Sequence, residues 1–145
     1  MQLDDLYRQV IMDHYQHPRN QGRLTETTVS VDLRNPSCGD EITLQLQVDG
    51  DVVRDVRFQG SGCSISMASA SMMTEAIKGQ SLSDALELAS VFRAMIRGEA
   101  IDTEALGDLE SLQGVSKFPA RVKCALLAWQ ALEKAVSGQT DHQPE

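Results

Sequence analysis

The sequence predicts an α+β domain, a small antiparallel three-stranded sheet with helices packed on one face. Three observations predict it. From Ile42 to Val48 apolar residues alternate with Thr43, Gln45 and Gln47, the period of a strand with one buried face. Asp49-Gly50 follows as a hairpin signal between this run and the next. On both sides of that hairpin the apolar residues fall at helical spacings of three and four. A chain of 145 residues with 41% hydrophobic content has enough material for one domain with a core. We assign that domain to residues 1–136 and expect residues 137–145, which lack an apolar pattern, to form a disordered tail.

Taken in order, Leu3 to Gln16 reads as an amphipathic helix with Leu3, Leu6, Tyr7, Val10, Ile11 and His14 on one stripe, stopped by His17-Pro18. Its simplest role is packing, with a crowded charged face that could also meet a partner. His14 and His17 are read as surface or edge residues and not as ligands. Thr27 to Arg34 is rich in β-branched residues and predicts the first strand. Asp51 to Gln59 returns as the third strand, with Val52, Val56 and Phe58 available for the core.

Gly60-Ser61-Gly62 closes the sheet. No parallel βαβ unit surrounds it, so a dinucleotide loop is rejected. The glycines are expected to let the backbone approach closely beside Cys63. Ser64 to Lys78 predicts a helix of small residues and methionines, facing the core and closed by Gly79. Ser81-Leu82-Ser83-Asp84 predicts an N-cap for a helix running to about Arg97. Glu104 to Leu112 predicts a short helix with Leu106, Leu109 and Leu112 at period three. A last helix follows near Ala120 to Val136.

The chemistry-bearing residues are three cysteines and a carboxylate. Cys38 sits in the turn Asn35-Pro36-Ser37-Cys38-Gly39-Asp40, two residues from Asp40. Cys63 follows Gly60-Ser61-Gly62 and opens a helix, and Cys124 lies early in a helix behind Arg121 and Lys123. A cysteine taken alone is most often an inert, buried small hydrophobe. Helix starts and nearby cations are instead settings that favour the thiolate, and all three cysteines stand where elements begin or end. Cys38, Asp40, Cys63 and Cys124 are therefore read as one tetrahedral site, whose three thiolates and carboxylate suit Zn²⁺. The spacing has no CxxC pair and is not by itself a zinc signature. An iron–sulfur cluster, which usually takes four cysteines, would be labile on this set.

Composition narrows the partners. The formal charge of −8 and pI of about 4.8 exclude the basic stripe of a nucleic-acid surface. No run of 18 apolar residues is present, and charge interrupts the N-terminal apolar pattern. We expect no membrane span, no signal peptide, and reduced thiols in the cytoplasm.

At these residues the chain resembles the IscU/NifU-like superfamily of iron–sulfur cluster assembly proteins, and within it the SufU type. The likeness spans Leu3 to Val136. It rests on Leu6-Tyr7-Arg8-Gln9-Val10-Ile11-Met12-Asp13-His14-Tyr15, on the turn around Cys38, on Gly60-Ser61-Gly62-Cys63-Ser64-Ile65-Ser66 and on Arg121-Val122-Lys123-Cys124-Ala125. IscU scaffolds carry a histidine directly before the third cysteine, where this chain has Lys123. They also carry a Leu-Pro-Pro-Val-Lys chaperone signal, where this chain has Phe118-Pro119-Ala120-Arg121-Val122-Lys123. SufU proteins have a longer segment between the second and third cysteines, as Glu99 to Lys117 supplies.

The resemblance implies a zinc-dependent sulfurtransferase that takes persulfide sulfur from a SufS-type PLP-dependent cysteine desulfurase and passes it to the SufBCD scaffold. It implies Cys38, Asp40, Cys63 and Cys124 as zinc ligands and Cys38 as the sulfur acceptor, freed when a desulfurase histidine replaces it on the metal. Arg121 and Lys123 are candidates for contact with the partner or the site. The alternative is an iron–sulfur cluster scaffold of the IscU kind holding a transient cluster.

Overall fold

The computed structural model describes residues 3–35, 39–99 and 104–141. Its elements are α1 (Leu3–Gln16), β1 (Val29–Asn35), β2 (Asp40–Asp49), β3 (Val52–Ser61), α2 (Ser64–Ile77), α3 (Leu82–Ile96), a 3-10 segment (Glu104–Lys117) and α4 (Pro119–Asp141). The strands form an antiparallel sheet in the order β1-β2-β3. In β2 Ile42, Leu44 and Leu46 are buried, while the polar residues between them are half-buried, so the sheet has one core face. Against the core, α4 packs on β1 and β2, α2 packs on β3, and α1 lies on α2. Among the described residues no helix is long and apolar enough to cross a membrane.

The hairpin forms where Asp49-Gly50 signals it, but its two-residue loop is Gly50-Asp51, with Gly50 at φ +66° and Asp49 already paired opposite Val52. Just beyond it the register slips. Gln47 pairs with Asp55 and Val48 with Val53, which leaves Arg54 as the extra residue of a bulge. This corrects the expectation for Val52. It is exposed, and Val53 takes the core position with Val56 and Phe58. α2 stops at Gly79, φ +85°, and α3 starts at Ser81, whose hydroxyl accepts the N–H of Asp84 at 3.0 Å.

Three further expectations are revised. The segment after α3 is a 3-10 helix reaching Lys117 with a break at Gly107 (φ +57°), and Leu106, Leu109, Leu112 and Val115 are all buried. Three residues per turn is the geometry that puts such a period-three series on one face. α4 continues to Asp141, past the predicted end at Val136. Extending a helix gains a hydrogen bond per residue, and Gly138 weakens it without breaking it. Residues 142–145 of the predicted tail lie outside the described residues.

His14, expected at the surface or an edge, is fully buried. Its place on the apolar stripe of α1 carries it inward, where Nδ1 lies 2.8 Å from Ser71 Oγ and Nε2 3.1 Å from Asp108 Oδ2. His17 is exposed, 3.5 Å from Asp13.

α2 is buried nearly all round, from Ser66 through Thr74. Met67, Met72 and Met73 lie in the core as expected, and small residues let its neighbours come close. Ser69 Oγ donates to the Ala125 carbonyl at 2.7 Å and accepts the Trp129 indole N–H at 3.1 Å. Trp129 stacks on Phe92 at 4.7 Å between ring centroids. Ser69→Ala orphans the buried indole N–H and is expected to cost about 1–3 kcal/mol. Urea unfolding checks this, and an unchanged midpoint contradicts it.

Candidate metal centre

The site begins at the closed end of the sheet. Asn35 and Asp40 face each other at the ends of β1 and β2, and the Gly39 N–H reaches the Asn35 carbonyl at 2.9 Å. Gly39 holds φ +73°, as this turn requires. Cys38 lies outside the described residues. Asp40 points inward and is 1% exposed. On the partner strand Glu41 pairs with Ser61 and Ile42 with Gly60, so β3 runs out beside Asp40 and delivers Cys63 to it.

Cys63 is the N-cap of α2, in extended backbone conformation. Its N–H donates to Asp40 Oδ1 at 3.0 Å, and its Sγ lies 3.8 Å from Asp40 Oδ2. Ser66, one turn into α2 and buried, donates its hydroxyl to the Cys63 carbonyl at 3.1 Å, with its Oγ 3.8 Å from the sulfur. The glycines have the role the sequence suggested. A Cβ on Gly60 would strike the Glu41 carbonyl, and one on Gly62 would strike Asp40 Oδ1 and come within 2.6 Å of Ser66 Oγ.

The third element is α4. Cys124, fully buried, packs its Sγ 3.9 Å from the Ala120 carbonyl. One ligand atom each from Asp40, Cys63 and Cys124 lie within 4.8 Å of one another. The edges of a tetrahedron around zinc with S and O donors are about 3.5–3.8 Å, so small side-chain adjustments would close these three around an ion. The donor set fits. Two sulfurs and a carboxylate suit Zn²⁺, and a buried carboxylate requires compensating positive charge or hydrogen bonds.

Arg121 stands one helical turn before Cys124, with its guanidinium beside both sulfurs. Electrostatic attraction to Cys63, a hydrogen bond to the same side chain, and then attraction to Cys124 raise the Arg121 pKa above its ordinary value. Lys123 is exposed. Of the residues singled out by sequence, Asp40, Cys63, Cys124 and Arg121 are thus brought together. Sequence reasoning missed Ser66; a serine three residues after a helix-opening cysteine was its only signal.

Next to this pocket a groove is lined by Tyr7, Arg8, Ile11, Ile65, Val115 and Phe118 among others, and Phe118 is exposed.

Comparison with known proteins gives consistent relatives. Residues 6–125 match the NifU-like N-terminal domain family. The chain is 60% identical over 136 residues to the zinc-dependent sulfurtransferase SufU of Bacillus subtilis, covering 93% of this chain and 92% of that protein. It is 44% identical to the iron–sulfur cluster assembly scaffold protein IscU of Streptococcus pyogenes, covering 97% and 89%. Among solved structures, a candidate iron–sulfur cluster assembly scaffold protein for the SUF system from Fervidobacterium islandicum superposes with a TM-score of 0.86 at 37% identity, covering 93% and 99%.

Gly62→Ala is expected to fold and to lose about 10- to 100-fold in zinc affinity, because the added methyl displaces Asp40 and Ser66. Chelator competition measures this; wild-type affinity contradicts the close-approach account.

Proposed function

We propose that this chain, which belongs to the family of NifU-like N-terminal domains, is a zinc-dependent sulfurtransferase of iron–sulfur cluster assembly. It acts in the cytoplasm, taking persulfide sulfur from a SufS-type cysteine desulfurase and passing it to a SufBCD scaffold. The observation that carries this reading is the convergence of Asp40, Cys63 and Cys124 from three separate elements. The likeness to the Bacillus sulfurtransferase over nearly the whole of both chains supports it.

In this reading Cys63, Cys124 and Asp40 hold the ion, and Cys38 is the fourth ligand and the sulfur acceptor. When bound, zinc supplies positive charge that keeps thiols deprotonated without redox chemistry. The remaining work is done by the chain. The Cys38 thiolate attacks the outer sulfur of the desulfurase persulfide. The S–S bond of that persulfide breaks, its inner sulfur leaves as the desulfurase cysteine thiolate, and Cys38 carries the new persulfide. Asp40 would be the harder ligand beside the thiolates of the set. In this reading Arg121, attracted to the sulfurs, meets the incoming anionic persulfide. Lys123, exposed on the same helix, in this reading meets the partner surface.

The scaffold names borne by other relatives favour a second reading, a transient iron–sulfur cluster on the same ligands. Lys123, where IscU scaffolds have histidine, speaks against it. Anaerobic purification separates the two: a colourless protein with about one zinc per chain supports sulfur transfer, and a coloured one the scaffold.

Cys38→Ala is expected to keep its fold and lose uptake of radiolabelled sulfur from a charged desulfurase. Labelling at the wild-type level would remove Cys38 as acceptor. Cys63→Ala and Cys124→Ala are each expected to lose zinc, and Asp40→Ala to bind it more weakly. Metal content by mass spectrometry decides, and full occupancy in any of the cysteine variants strikes that residue from the ligand set.

A further inference from the structure

A second cluster of ligand-bearing side chains lies away from the cysteines. We propose that His14, Glu75 and Asp108 form a second divalent-cation site, built of one imidazole and two carboxylates. The three come from α1, α2 and the 3-10 segment, and one ligand atom from each lies within 4.8 Å of the others. Nε2 of His14 is 3.1 Å from Asp108 Oδ2 and 3.8 Å from Glu75 Oε1. Ligand atoms sharing an octahedral ion at about 2.1 Å are about 3 Å apart, so the spacing is close to that of a ligand set.

The buried ring gives the cluster a direction that surface acids alone lack. His14 is 0% exposed and presents Nε2 toward the two exposed carboxylates. Its other nitrogen is fixed from behind by Ser71 Oγ at 2.8 Å, and that hydroxyl is itself held by the Arg19 backbone N–H at 2.9 Å. Metal-ligating histidines are oriented in this way, through a hydrogen bond at the nitrogen that does not bind. Glu75 and Asp108 also line an open cavity of about 420 Å³, to which Asp84 adds a third carboxylate and no Lys or Arg contributes. Water there can complete the coordination. Arg19, the nearby cation, pairs with Asp13 at 2.6 Å and is also attracted by Glu75 and Asp108, so a bound ion would share their charge with it.

One imidazole with two carboxylates selects hard to borderline first-row ions such as Mn²⁺, Fe²⁺ or Zn²⁺, whereas a thiolate-rich set disfavours Mn²⁺. Mn²⁺ is therefore the probe. The zinc-loaded full-length chain is titrated with Mn²⁺, and the loss of the free-ion electron paramagnetic resonance signal is followed. The expected result is about one bound Mn²⁺ per chain, with affinity falling about tenfold or more in Glu75→Gln and in Asp108→Asn. Both carboxylates are exposed, so these variants keep the fold, and their zinc content stays at the wild-type level. Cys63→Ala should still bind Mn²⁺, which keeps this result separate from the fate of the sulfur-transfer reading. No Mn²⁺ binding by the wild type, or equal binding by both carboxylate variants, overturns the proposal and leaves His14 as a hydrogen-bonded staple between helices.

Discussion

The burial of Asp40 is the constraint on which the arrangement around the cysteines depends. A carboxylate that is 1% exposed cannot stay there unless its oxygens find donors or positive charge. Oδ1 takes the Cys63 N–H, which fixes the N-cap of α2 against the first residue of β2. That contact requires β3 to run tightly along β2 to its end, and Gly60 and Gly62 remove the side chains that would hold the backbones apart. The sheet end, the start of α2 and one face of α4 are thereby drawn to one point. The local geometry is set by a structural demand, satisfying a buried acid, and the same demand assembles a set of soft and hard donors.

Much of this was legible in the sequence because the signals are local. The Asp49-Gly50 turn, the Ser81 cap and the stop at Gly79 each declare themselves within a few residues. The glycines before Cys63 predicted close backbone approach, and the structure supplies the neighbours they approach. The bulge at Arg54 was not legible, since a one-residue slip in pairing leaves the composition of the strand unchanged and merely moves burial from Val52 to Val53. His14 was misjudged for a different reason. Its periodicity placed it on the inward stripe, but its polarity argued for the surface. The partners that reverse that argument, Ser71 and Asp108, lie 57 and 94 residues away in the chain.

α2 shows how a helix with so many hydroxyls can be the most buried in the molecule. Ser66, Ser69, Ser71 and Thr74 are all buried, and each hydroxyl has a partner: the Cys63 carbonyl, the Ala125 carbonyl and Trp129, His14 and the Arg19 N–H, and the Ser71 carbonyl. Small side chains let α1 and α4 approach closely, and the hydroxyls then bond to groups those neighbours would otherwise bury without partners. An all-apolar α2 would pack as well but would remove the partners of the Trp129 indole N–H and of His14 Nδ1. The serines thus specify which neighbours sit where.

The same helix relates the two clusters. Cys63 opens α2 and Glu75 lies near its far end, a rise of about 18 Å at 1.5 Å per residue. This exceeds the roughly 8 Å screening length that applies to exposed charges at physiological ionic strength, and the buried groups at each end are screened less. Donor chemistry then decides which ion each set prefers, sulfur-rich at one end and oxygen with nitrogen at the other. Mechanical coupling between them would run through α2. A helix buried on nearly every side, with its hydroxyls bonded to α1 and α4, resists bending within itself. A shift at Ser71 would be transmitted to Cys63 only if α2 moved as a rigid body, and the Cys63 N–H bond to Asp40 opposes that movement.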